Sequence, residues 1–186
     1  LFTQSNLGVI TQATLWLMPR PEYVQQFFCS VATYEELGPL IDALRPLRLN
    51  GTIRSAMHIG NDYRMLASSG SYPWDSSGGK TPLPRNVLDA LSRERTYGAW
   101  NVTGALYGTR AEVALARKQV RRKLKPVCGQ FRFIDERKLR LAERVQGAYQ
   151  RITGVDLPAM LKLLKPVFGM TQGVPSDSVL PSVYWR

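Results

Sequence analysis

Carboxylates, histidine and cysteine are all scarce in this chain of 186 residues. Acidic residues number 14 against 25 basic ones, with 1 histidine (His58) and 2 cysteines (Cys29 and Cys128). A single histidine excludes metal centres of the His-rich kind. The carboxylates Asp62, Asp75, Asp89 and Asp135 are scattered and show no pair spaced for acid–base work. Cys29 and Cys128 form no CxxC motif and stand in apolar surroundings, so they read as buried thiols rather than a disulfide framework. Long apolar runs are missing too: nothing approaches the ~18 residues a bilayer span requires, and a soluble chain without a membrane partner is expected.

What remains is an apolar fraction of 44%, ordinary for a chain that buries a core, and a net charge of +11 with pI near 10.1. That charge is compatible with nucleic acid, an anionic cofactor or an acidic protein. Much of it falls on one predicted helix, Thr109 to Lys125, which carries Arg110, Arg117, Lys118, Arg121, Arg122, Lys123 and Lys125. Basic residues suit a helix C-terminus, and a solvated cationic face is the simplest reading. Docking of an acidic partner is the alternative. Nucleic-acid binding would require stacking aromatics or a recognition module beside the patch, and no such motif is present.

Three short motifs lead nowhere. Ser77-Gly78-Gly79-Lys80-Thr81 resembles the tail of a phosphate-binding loop, but Trp74 stands where the first glycine must bend the backbone, and Pro82 and Pro84 occupy the start of the following helix. His58 has no nucleophile elbow to make a triad. Asn101-Val102-Thr103 is a glycosylation sequon inside a predicted strand.

Hydrophobic periodicity divides the chain. Gly8 to Met18 is strand-like and ends at Pro19 and Pro21, which cannot donate to a ladder. A repeated unit follows. Strand Tyr23–Val31 leads to a capping box, Thr33 to Glu36, then the stripe Leu37, Leu40, Ile41 and Leu44, the turn Asn50-Gly51 and a strand Thr52–Ile59. The second copy runs from strand Trp100–Tyr107 through the box Thr109 to Glu112 and the stripe Val113, Ala116, Val120 and Leu124 to strand Gln130–Ile134. Two such units predict an α+β fold, a ferredoxin-like split βαβ plait with an antiparallel or mixed sheet and its helices on one face. Between them lie a short helix (61–67), a surface loop (68–84) and a helix (85–95) with Val87, Leu88 and Leu91 inward. Asp-capped helices are expected at 135–146 and 156–164.

The opening residues carry a resemblance. FTQSNLGVIT (2–11) and WLMPRPE (16–22) are similar to the last motif of the FAD-binding domain in the vanillyl-alcohol oxidase and 4-cresol dehydrogenase (methylhydroxylase) flavoprotein family. The likeness continues through LRPLRLNGTIRSAMHIGNDY (44–63), YPW and GGKTPLP (72–84), WNVTGALYGTRAEV (100–113) and GVPSDSVLPSVYWR (173–186). Bacterial 4-alkylphenol and eugenol hydroxylase flavoprotein subunits look closest. The resemblance implies residues 1–21 as the terminal strand of an FAD-binding domain and 22–186 as part of a cap (substrate) domain. It implies an FAD-linked oxidoreductase that takes hydride from the benzylic carbon of a para-substituted phenol, passing electrons to oxygen or to a cytochrome c subunit, in a homo-oligomer of the bacterial cytoplasm or periplasm. Ser5, Asn6, Gly8, Val9 and Ile10 match the stretch beside the cofactor, and Gly8 would permit close backbone approach. No catalytic residue carries over, so the chain by itself is expected to be inert, with strand 1–18 displaced, swapped onto a neighbour or packed on the cap. The alternative is a non-catalytic module that uses helix 110–125 to bind an acidic protein or nucleic acid.

Overall fold

A computed structural model describes residues 8–69 and 71–153, together with residue 169. The elements, in order, are β1 (Tyr23–Val31), α1 (Leu37–Leu49), β2 (His58–Asn61), α2 (Asp62–Ser69), α3 (Trp74–Ser77), α4 (Arg85–Glu94), β3 (Trp100–Gly108), α5 (Arg110–Leu124), β4 (Gln130–Ile134) and α6 (Glu136–Thr153). The strands form one four-stranded sheet in the order β2-β3-β1-β4, and every neighbouring pair is antiparallel. The class is α+β, as expected.

Alternation along the strands decides which residues meet. On one face Phe27, Cys29, Val31, Val102, Leu106 and Phe133 pack against Leu40, Leu44 and Leu47 of α1 and Val113, Val120 and Leu124 of α5. Phe27 is the centre: it is fully buried, and its ring occupies the space over Gly104 where any larger residue would place its Cβ, 2.7 Å from two ring carbons. The buried stripe of α1 runs 40, 44, 47, whereas Ile41 of the predicted stripe is exposed.

The two units are not capped alike. Thr109 and Glu112 complete a reciprocal box, with Glu112 N–H donating to Thr109 Oγ1 (3.3 Å) and Thr109 N–H to Glu112 Oε2 (2.7 Å). In the first unit only half forms: Thr33 N–H donates to Glu36 Oε2 at 2.8 Å, and α1 starts at Leu37 without a side-chain cap. The strand expected over 52–59 is displaced to 58–61. Arg48 explains this, since one guanidinium nitrogen takes the carbonyls of Ile53, Arg54 and Ser55 at 3.0, 2.9 and 3.2 Å. Ser55 Oγ then accepts the Ala105 N–H of β3 at 2.8 Å, in the place of a paired strand. Turn Asn50-Gly51 is as predicted, with Gly51 at φ +74°.

The helices are not confined to one face. α1 and α5 share a face, but a Cβ on Gly60, which pairs with Asn101 and points the other way, would meet Arg64 and Met65 of α2. The 68–84 stretch is not wholly loop, because α3 lies within it and Ser77 is buried. α4 buries Leu88 and Ser92, with Val87 and Leu91 half-buried. α6 runs to Thr153, beyond the expected end, and the helix expected at 156–164 lies outside the described residues.

Residues 8–21 form no helix or strand, and residues 8–20 are exposed throughout. Val9, Leu15, Trp16 and Leu17 are 91%, 76%, 97% and 79% accessible, so the segment does not pack on the sheet or its helices. A strand needs a partner for its N–H and C=O groups, and no other described residue supplies one. The reading of Gly8 to Met18 as a strand is therefore not realised among the described residues.

Candidate functional site

The sequence pattern did not show that the insertion between β2 and β3 builds a charged centre against the sheet. Asp62 opens α2 and is 2% accessible. Its carboxylate accepts a short hydrogen bond from the Tyr34 hydroxyl, the Tyr63 N–H at 2.9 Å, and an ion pair from Arg85 at 3.4 Å. Arg85, from the first turn of α4, also pairs with Asp89 at 2.9 Å and lies 5.0 Å over the Tyr34 ring. Trp100 packs edge-on against Tyr34, with 5.7 Å between centroids, and its indole N–H donates to the Tyr34 carbonyl. Asp62 and Asp89, scattered in sequence, thus meet at one guanidinium. Burial, then the bond to Asp62, pushes the Tyr34 phenol above its ordinary value, so it stays protonated and donates. Beside this centre is a cleft of about 550 Å³, lined by Ser30, Asp62, Arg85, Ser92, Tyr97 and Gln130 among others.

A second concavity, about 600 Å³, lies between α5 and β4. It takes Arg117 and Arg121 from successive turns of α5, Lys125 from the C-cap of that helix, Arg132 from β4 and Lys138 from α6, and no carboxylate among the described residues lines it. Arg117 sits 5.0 Å over the Phe133 ring, and Lys138 Nζ donates to the Phe133 carbonyl at 2.8 Å. The basic helix is therefore not one uniform solvated face: part of its charge converges on a groove, while Arg110 lies 4.8 Å over the Tyr23 ring. Tyr23 in turn donates to buried Asp135 at 2.8 Å, beside Gln25 at 3.3 Å.

Of the residues expected beside a cofactor, Gly8, Val9 and Ile10 line neither concavity. Gly8 is exposed, as are Val9 and Ile10, and Ser5 and Asn6 lie outside the described residues. His58 is exposed at the start of β2. Asn101 of the sequon is 8% accessible, and its side chain holds Gly98 at both the N–H and the carbonyl, which is a structural role. Gly78 and Gly79, both at positive φ, terminate the four-residue α3. Among the described residues no group of acidic, histidine or cysteine side chains is arranged to hold a metal, and no helix is long and apolar enough to cross a membrane. Nor do the described residues cradle a flavin: the exposed backbone at Gly8 is open to one, but no second element meets it there.

No family model matches the chain. It is 35% identical over its full length to 1'-carboxy-chondrochloren decarboxylase from Chondromyces crocatus, covering 34% of that protein. It is 31% identical over 113 residues (61% of the chain, 22% of the relative) to the 4-cresol dehydrogenase [hydroxylating] flavoprotein subunit of Pseudomonas putida. The chain thus spans about a third or less of the length of these curated relatives. Its fold is similar to p-cresol methylhydroxylase with substrate bound (TM-score 0.66, 24% identity, 92% of this chain and 29% of that one). It is also similar to 4-ethylphenol oxidase from Gulosibacter chungangensis in its isoeugenol complex (TM-score 0.63, 21% identity, 86% and 28%). By sequence the chain is a homologue of the 4-cresol dehydrogenase flavoprotein subunit over part of its length, and it shares its fold with p-cresol methylhydroxylase and 4-ethylphenol oxidase.

Proposed function

We propose that this chain is the cap-side part of an FAD-dependent oxidoreductase acting on para-substituted phenols, with residues 1–21 ending the flavin domain and 22–186 belonging to the cap. The observation that carries the reading is agreement: the 4-cresol dehydrogenase flavoprotein subunit matched by sequence and the p-cresol methylhydroxylase and 4-ethylphenol oxidase matched by fold are named for para-alkylphenols, and these matches cover 61–92% of the chain. The strand order β2-β3-β1-β4, all antiparallel, supports the split βαβ plait as the cap's frame. The exposed apolar run Leu15-Trp16-Leu17-Met18 supports a missing sheet neighbour for the opening segment. Ser5, Asn6, Gly8, Val9 and Ile10 are the proposed cofactor contacts. FAD, held mainly by a flavin domain, would supply the acceptor for hydride from the benzylic carbon. A cytochrome subunit as onward acceptor and a homo-oligomeric assembly belong to the same proposal.

The longest polypeptide that carries this sequence, purified with FAD, is expected to bleach its flavin anaerobically on addition of p-cresol or 4-ethylphenol. An oxidised flavin spectrum unchanged by both phenols would overturn the substrate class. The chain by itself is expected not to retain FAD, and stoichiometric, tight retention on gel filtration would contradict the domain division. The identity of 35% over the whole chain to a decarboxylase favours a second reading, oxidation of a carboxylated substrate with loss of CO2. CO2 release from a 4-hydroxyphenyl acid, with no turnover of the alkylphenols, selects it.

A further inference from the structure

Cys29 and Cys128 are adjacent in the fold, although sequence places them in different units. Cys29 is at mid-β1, opposite Phe131 of β4, and is 4% accessible. Cys128 stands just before β4, held there because its N–H and that of Val127 both donate to the Leu124 carbonyl that ends α5 (2.9 and 3.0 Å). Cys128 packs on the same core that buries Cys29, and both are free thiols. The Cys29 and Cys128 thiols are hydrogen-bonded to each other. That bond lowers the Cys128 thiol below its ordinary value against the opposing effects of burial and Glu36, while the same bond and burial push Cys29 up.

The two sulfurs differ in access. Cys128 is half-buried and lines the basic groove with Arg117, Arg121, Lys125 and Arg132. Cys29 has no such opening. A thiolate that is both accessible and near cations is the attacking group in thiol–disulfide exchange. A cationic groove raises the local concentration of an anionic reagent.

We infer that Cys128 is a modification site for anionic disulfides of the glutathione type, and that Cys29 is its resolving thiol. Cys128 thiolate attacks one sulfur of the external disulfide, its S–S bond breaks, and one thiolate leaves. Cys29, giving up its proton, then attacks Cys128 sulfur and expels the second thiolate. Two protein thiols are oxidised to one Cys29–Cys128 disulfide, and the external disulfide is reduced to two thiols. The product would tie β1 to the α5–β4 turn from inside the core, independently of any flavin chemistry.

The test treats the reduced native chain with glutathione disulfide, followed by alkylation, proteolysis and mass spectrometry. A linked Cys29–Cys128 peptide is expected. Cys29→Ala should stop at the glutathione adduct on Cys128, and Cys128→Ser should leave Cys29 unmodified. Arg121→Ala with Lys125→Ala should slow glutathione disulfide by roughly threefold or more and leave the rate with uncharged 2-hydroxyethyl disulfide unchanged. A wild-type chain that accumulates the Cys128 adduct without the linked peptide overturns the resolving role, whatever the variants do. Equal rates in the native and urea-unfolded chain, or equal slowing with both probes, overturn the site.

Discussion

Replacing Gly104 by alanine is expected to destabilise the sheet even though alanine is the better strand residue. The backbone of Gly104 has no positive φ, so nothing local demands glycine. On that ground alone the substitution should gain ~0.5–1 kcal/mol. The opposing effect is steric. The new Cβ would stand 2.7 Å from Cε1 and Cζ of Phe27 and 3.3 Å from Met57 Cγ. Phe27 is fully buried, so its ring has no solvent side to turn to. Overpacking of that kind costs ~1–3 kcal/mol, and the net is a loss of roughly 0.5–2 kcal/mol. With a urea m-value of ~1–3 kcal/mol/M, the midpoint should fall by about half a molar. The decisive measurement is the same substitution in a Phe27→Leu background. Leucine lacks the distal ring carbons, so Gly104→Ala should there become neutral or stabilising by up to ~1 kcal/mol. An equal loss in both backgrounds would refute the assignment of the cost to the Phe27 ring.

Three further outcomes follow from the polar sites. Asp62→Asn keeps acceptors for Tyr34 and Tyr63 and should cost ~1 kcal/mol or less, because Arg85 is half exposed and retains Asp89; Asp62→Ala, which leaves Tyr34 without its acceptor, should cost more, ~2 kcal/mol, and urea midpoints in the reverse order would be fatal to the account. Thr109→Ala should remove ~1 kcal/mol, seen in thermal melts. Glu112 sits below the ordinary carboxylate range because the Thr109 backbone N–H, then its hydroxyl, bond it; its contribution is present above the unfolded value and fades as pH falls through the folded one. Asp135 is also held low: burial pushes it up, but the Lys138 N–H, Tyr23 hydroxyl and Gln25 amide outweigh that. It follows the same sign, with stability lost toward acid. Tyr23→Phe should raise the Asp135 titration midpoint in carboxyl NMR, and an unmoved midpoint would show that the hydroxyl contributes nothing.

Local signals were enough for the elements whose own residues complete them. β1 and β4 have the predicted bounds and α5 starts after its predicted cap, because alternation, a cap with both partners within four residues, and Pro126 act over short distances. α+β class and the family resemblance were legible for the same reason. The second strand was not, since its register depends on the Arg48 side chain occupying the carbonyls of residues 53–55, a competition that alternation does not encode. Gly8 to Met18 forms no strand among the described residues, for a strand is a relation between two segments and no described residue is its partner.

By itself, the amino-acid sequence determined the helix and strand material, the excess of positive charge and the kinship with the 4-cresol dehydrogenase flavoprotein subunit, because composition, periodicity and motif spacing are properties of one stretch of chain. Tertiary structure alone decided that Asp62 and Asp89 share Arg85, that the cations of α5 converge on a groove with Arg132 and Lys138, and that Cys29 touches Cys128. Each of these joins residues from different elements. Their distances are set by how α1 and α5 pack over Phe27 and by where the β2–β3 insertion folds against the sheet, which no local pattern specifies.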